Sequence, residues 1–235
     1  DAFDAKNAPV ETPVKVAAVS SYFPSGQVPM ESKLLDTKPY DFKKRERFLQ
    51  EAHAILNNLN VPFWLTGGSL LGAIRDNDFI AWDDDSDTDM LEEDFVKLMY
   101  VMKDNFIKHH FVVRLKDSKE FPKMAVFKYG QKLAIGALKL EGKWRIRPDY
   151  KYPAHLFNRN QTIIFKGLSF FIPSPVEDFL SHVYGDWKTP IESDVDEEFY
   201  NPAHFRKPSF VHKLKRIFYF YKFYSNRLLY VLIFH

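Results

Sequence analysis

Leu65-Thr66-Gly67-Gly68-Ser69-Leu70-Leu71-Gly72-Ala73-Ile74-Arg75, followed by Phe79-Ile80-Ala81-Trp82-Asp83-Asp84-Asp85-Ser86-Asp87-Thr88-Asp89, is the stretch from which the rest of the chain is read. An apolar run, Val61-Pro62-Phe63-Trp64-Leu65, enters a Gly-Gly pair. That pattern predicts a strand ending in a tight turn. Ser69 is placed to cap a short helix from Leu70 to Arg75, since its hydroxyl can accept from an otherwise unpaired amide. Asp76-Asn77-Asp78 makes a turn, and Asp85 to Met90 alternates as a strand does. Five of the seven residues from Asp83 to Asp89 are Asp. Like charges packed so densely repel unless something positive neutralises them, and a hard divalent cation with oxygen ligands is the usual answer. On a strand, Asp85 and Asp87 point to one face and can converge on one ion, with Asp83 and Asp89 continuing the row.

A solvated acidic loop is the simpler alternative. Against it, Phe79, Ile80 and Trp82 lead in and Met90 and Leu91 lead out, which anchors the cluster on a buried element. A calcium loop of EF-hand type needs glycine at its sixth position, and both registers of the acid run lack it. Thr66-Gly67-Gly68-Ser69 offers a phosphate unobstructed backbone amides, a hydroxyl and the positive end of a helix. A Gly-Gly pair alone would be a plain turn; its place just before a row of carboxylates gives it weight. Arg75 adds a fixed charge for a phosphate oxygen, or pairs with Asp76 or Asp78.

Outward from this stretch, Phe42, Phe48, Leu49, Ala52, Ile55, Leu56 and Leu59 recur at three and four and predict a helix from Asp41 to Leu59. Glu92 to Met102 predicts another, with acids in its first turn. Strands are expected at Phe111–Leu115, Met124–Tyr129, Leu133–Leu140 and Trp144–Ile146. A hairpin is expected around Lys166-Gly167, and a short helix from Val176 to Tyr184. The order gives an α+β domain with a small mixed sheet over residues 37–200. Residues 1–36, with four prolines and no period, read as an extended arm.

Across 235 residues, 46% hydrophobic content is ample for one core. Lys and Arg number 33 against 31 Asp and Glu, a net charge of +2 that gives no global pull toward nucleic acid. The absence of cysteine excludes disulfides, zinc-thiolate sites and cysteine nucleophiles. No Gly-x-Ser-x-Gly element supports serine hydrolase chemistry. No run reaches the roughly 18 apolar residues that span a bilayer. From residue 199 on there are seven Lys or Arg and no Asp or Glu, interleaved with aromatics. Residues 209–235 thus suit an anionic membrane surface, or equally a terminal helix packed by its aromatics.

The two quoted motifs together resemble the LicD family, which includes bacterial phosphocholine transferases and fukutin-related proteins. Weaker similarity runs through Phe170 to Trp187, where Tyr184-Gly185-Asp186-Trp187 is similar to a later family element. The resemblance implies a nucleotidyltransferase-like fold and a CDP-linked alcohol donor. It also implies a glycan or lipid-linked glycan acceptor and release of CMP. It assigns donor phosphate to Gly67, Gly68 and Ser69, with Arg75 nearby. Mg2+ or Mn2+ falls to Asp85 and Asp87, and Asp83, Asp89 or Asp149 is open to serve as the further catalytic carboxylate. A nucleotidyltransferase, or a catalytically weak glycan-assembly partner, is the alternative. Ala81, Asp76, Asp78 and Asp89 depart from the family pattern, and Ala134 or Ile135 stands where a further aspartate is usual. The expected location is the cytoplasmic face of a membrane, or the Golgi lumen in a eukaryote.

Overall fold

The computed structural model describes residues 41–148, 150–192, 200–201 and 203–204. The N-terminal arm, Asp149 and the basic tail lie outside the described residues.

The first helix, α1 (Phe42–Asn57), starts where Asp41 accepts from the Lys44 amide at 3.1 Å. Its buried face contains the expected Phe48, Leu49, Ala52, Ile55 and Leu56, together with Arg45, a charge on an otherwise apolar stripe. Next come β1 (Trp64–Leu65), α2 (Gly67–Arg75), β2 (Ser86–Leu91) and α3 (Glu92–Lys108). The α2 helix begins at Gly67 with Thr66 as its cap residue, so Ser69 lies inside the first turn and does not cap it. Three strands follow as β3 (Val112–Lys116), β4 (Lys123–Lys128) and β5 (Gln131–Glu141), then β6 (Trp144–Ile146). A strand not foreseen, β7 (Lys151–Pro153), runs into a 3-10 turn over Ala154–Phe157. The hairpin is β8 (Thr162–Phe165) and β9 (Leu168–Phe171), and α4 (Val176–Tyr184) closes the described domain.

These residues form an α+β fold around a mixed sheet with strand order β3-β4-β5-β2-β1-β9-β8, extended by β6 and β7 along the far end of β5. Two neighbours in it are parallel, β2 with β5 and β1 with β9. The register places Ser86 beside Leu133, Asp87 beside Ala134 and Asp89 beside Gly136. Partners across a ladder share a face. Trp64 pairs with both Asp89 and Phe171, so these three project to one side, where Trp64 packs on Phe157 and Phe157 on Phe179 of α4. Ser86 and Thr88 project to the other side, covered by α1 and α3. The strand β2 is therefore buried on both faces, and its acids are set into the core from one end.

Phe79 and Ile80 are buried and Trp82 is exposed, so the anchor leading into the acids is Phe79-Ile80 alone. Asp85 precedes β2 and is not part of it.

Candidate active site

The site is where the C-terminal end of β1 meets the start of β2. Asp87, the second residue of β2, is fixed on three sides by the turn that follows β1. Its carbonyl accepts from the Thr66 amide at 3.2 Å, its own amide donates to Ser69 Oγ at 3.0 Å, and its Oδ2 accepts from the Gly68 amide at 3.3 Å. The turn is glycine for a steric reason. A Cβ on Gly67 would run into the Asp87 carboxylate, and one on Gly68 into the Asp83 carboxylate; Gly67 also has φ +55°. Two carboxylates thus lie directly against the Gly-Gly turn, and they are Asp83 and Asp87.

Asp83 is positioned by a residue that sequence reading missed. Arg45 is 2% exposed, and its guanidinium donates to the Asp83 carbonyl at 2.6 Å and to Ser86 Oγ at 3.4 Å. It also reaches Asp83 Oδ2 at 3.5 Å and lies 4.6 Å over the Phe79 ring. The available signal was a charge at a helix position that periodicity assigns to the core.

Burial, and next the charge of Asp85, pushes the Asp83 carboxyl up to about 7, although Arg45 and the Asp85 amide act in the opposite sense. Burial likewise raises Asp87 well above the ordinary carboxylate range, helped by the charges of Asp85 and Asp83. The cluster is thus short of positive charge. Oxygen atoms from Asp83, Asp84 and Asp85 all lie within 4.8 Å of one another. An all-carboxylate donor set carrying uncompensated charge fits a hard divalent ion.

Several expected roles change. Asp85, expected to share an ion with Asp87, also has its Oδ2 on Lys132 Nζ at 2.8 Å. Asp89 does not extend an ion-binding row: it is fully buried, with Oδ2 3.3 Å from Arg147 Nη1. Its Oδ1 has no hydrogen-bond partner and occupies the space that a Cβ on Gly136 would need. Ser69 is 1% exposed and its hydroxyl accepts from the Asp87 amide, so it positions Asp87. Arg75 donates through Nε and Nη2 to both carboxylate oxygens of Asp76, at 2.8 and 2.7 Å, as the alternative reading had it. That pair is at the opposite end of α2 from Gly67-Gly68.

Arg147 brings a second unforeseen cation toward the cluster. Asp89 is the main influence raising its pKa, and Tyr152, Asp87 and Tyr200 add to it. Tyr184, from the Tyr-Gly-Asp-Trp element, stacks on Tyr200 at 5.5 Å, and burial raises its hydroxyl; the charges of Asp87 and Asp83 add to that shift. Asp186 of the same element is exposed and accepts from Thr189 Oγ1 at 2.8 Å. Ala134 stands beside Asp87 in the β2–β5 ladder, so no carboxylate comes from that position.

Residues 60–175 match the LicD family, described as LicD/FKTN/FKRP, nucleotidyltransferase domain. Over 56 residues the chain is 32% identical to an uncharacterized protein of Rickettsia prowazekii (strain Madrid E) and 30% identical to one of Rickettsia typhi (strain Wilmington). Those stretches are 24% of this chain and span only about a fifth of the relatives, 21% and 18% of their lengths. Among solved structures, the crystal structure of ANT(2")-Ia with adenylyl-2"-tobramycin is similar at 13% identity and TM-score 0.39, covering 58% of this chain and 75% of that one. The solution structure of the antibiotic-resistance factor ANT(2'')-Ia is similar at 12% identity and TM-score 0.41, covering 67% and 80%.

Proposed function

Residues 60–175 of this chain form a LicD-family nucleotidyltransferase domain, and from that premise we propose that the protein is a divalent-cation-dependent phosphotransferase. It moves a phospho-alcohol of the phosphocholine, ribitol phosphate or glycerol phosphate type from a CDP-linked donor to a glycan hydroxyl. The observation that carries this reading is Asp87 held against the Gly68 amide, with Asp83 on the same turn and Asp85 close enough to raise both.

In the reaction a bond between phosphorus and the CMP oxygen breaks, one from phosphorus to the glycan oxygen forms, and the hydroxyl proton leaves. Asp85 and Asp87 would hold Mg2+ or Mn2+, which supplies positive charge for the phosphate oxygens as CMP departs. The Gly67-Gly68 turn opens α2 and would bring the positive end of that helix to the same phosphate oxygens. Asp83 is the carboxylate suited to take the hydroxyl proton, because a group raised to about 7 is matched to neutral pH. Asp89 is unsuited to that task, being sealed in the core against Arg147.

Among the described residues no helix is long and apolar enough to cross a membrane. The basic aromatic stretch over residues 209–235 would bring the enzyme to an anionic membrane surface beside a lipid-linked acceptor. Unchanged binding to phosphatidylglycerol vesicles after deletion of 209–235 would remove that part of the reading.

The main test is a donor screen. CDP-choline, CDP-ribitol and CDP-glycerol are each incubated with the protein, MgCl2 and an acceptor glycan, and CMP is measured. Metal-dependent CMP release from one donor supports the reading. Pyrophosphate release from CTP with the nucleotide retained on the product would point to a nucleotidyltransferase. Nucleotide binding without any turnover would point to a weak assembly partner, a reading that Ala134 beside Asp87 favours.

A further inference from the structure

We propose that Lys132 is a built-in counter-cation of the carboxylate cluster, holding one oxygen of Asp85 and limiting the site to a single divalent ion. The proposal rests on the cation-dependent reading above and adds how many ions the pocket takes and which residue sets that number.

The placement follows from strand register. Ala134 lies beside Asp87 and Gly136 beside Asp89, so Lys132, two residues before Ala134, lies on the same face at the level of Asp85. The ion pair forms there, with Lys132 Nζ 2.8 Å from Asp85 Oδ2 and both side chains about four-fifths buried, at 19% and 18% exposure. Lys132 meets Asp85 at Oδ2, and the same carboxylate offers an oxygen within 4.8 Å of ones from Asp83 and Asp84, so it can also take part in holding an ion. The row that β5 presents to the acids is thus Lys132, Ala134, Gly136: one positive charge, a methyl group and no side chain.

Charge balance points the same way. Asp83, Asp85, Asp87 and Asp89 bring four negative charges, and Arg45, Lys132 and Arg147 bring three positive ones against them. Asp84, whose oxygen lies within 4.8 Å of those of Asp83 and Asp85, adds a further negative charge at an exposed position, where solvent screens it. One divalent ion leaves the half-buried pocket with a single positive charge, which a donor diphosphate reverses easily. Two ions would leave a charge of three in a partly buried site, which is costly. Without Lys132, the second Asp85 oxygen and the missing positive charge become available to a further ion.

The test is calorimetric titration of the nucleotide-free protein with MnCl2. Wild type should bind one Mn2+ per chain. Lys132→Met should bind a second, or bind the first at least tenfold more tightly. Lys132→Arg, which keeps the charge, should behave as wild type. So should Lys139→Met, which removes the same charge from β5 beside Glu141. If Lys132→Met is not folded by circular dichroism, Lys132→Gln is read in the same way. A Lys132→Met protein identical to wild type in number and affinity overturns this inference alone, as does wild type binding two ions. No Mn2+ binding in any variant overturns the cation-dependent reading and this inference with it.

Discussion

The Gly68 amide donates to Asp87 Oδ2 at 3.3 Å, across a separation of nineteen residues in sequence. That contact ties the glycine turn to the acidic strand, and the candidate chemistry depends on both. Because Asp87 is fixed by its backbone as well as by its side chain, its carboxylate is preorganised.

Asp87→Ala and Asp85→Ala should each lower transfer by more than a hundredfold while the folded state is kept. Removing one member of a mutually repelling group relieves its neighbours, so Asp87→Ala should melt no lower than wild type in metal-free buffer. Turnover and thermal melting of the two variants decide the matter, and wild-type turnover in either refutes the assignment.

Substitution of Arg45 should act in the opposite way. Arg45→Met leaves the Asp83 carbonyl and Ser86 Oγ without their donor in a buried place. A loss of about 2–4 kcal/mol is expected, since breaking a buried polar network costs more than the network contributes. Urea denaturation measures it, and a midpoint unchanged from wild type contradicts the packing role assigned here.

The pH dependence of stability has a definite sign. The folded Asp83 carboxyl is raised from 3.8 to about 7, first by burial and then by Asp85, so the folded chain holds this proton where the unfolded chain has lost it. Its contribution is full below about pH 4 and is lost as pH rises through about 7, so metal-free protein should melt progressively lower across that window. Excess MgCl2 should flatten the slope by supplying the missing positive charge. A melting temperature that rises between pH 5 and 7.5 without metal contradicts the electrostatics.

Gly67→Ala should be damaging in two ways. A methyl group there meets the Asp87 carboxylate, and φ +55° costs an L residue roughly 1–2 kcal/mol. Activity should fall by at least a hundredfold, more than stability alone explains, because Asp87 must move. Activity near that of wild type would show that the close approach is unimportant.

The legible parts of this protein were those written locally. The Gly-Gly turn, the acid run, the periodic helices α1, α3 and α4 and the β8–β9 hairpin all follow from neighbouring residues. The strand β7 and the 3-10 turn were missed because three- and four-residue elements have no period to detect. Partners distant in sequence stayed hidden for another reason. Arg45 meets Asp83, Lys132 meets Asp85 and Arg147 meets Asp89 only once the sheet order is fixed. Ser69 shows the same limit. Local rules offered its hydroxyl to the helix end, and tertiary structure gave it to the Asp87 amide.

The most direct measurement is Mn2+ affinity in wild type and Asp87→Asn, followed by electron paramagnetic resonance of the free ion. Asparagine keeps an oxygen to accept from the Gly68 amide and removes the charge. Wild type should bind Mn2+, and Asp87→Asn should bind at least a hundredfold more weakly with the same circular dichroism spectrum. Equal affinity in the two proteins would contradict the claim that Asp87 holds a divalent ion against the glycine turn.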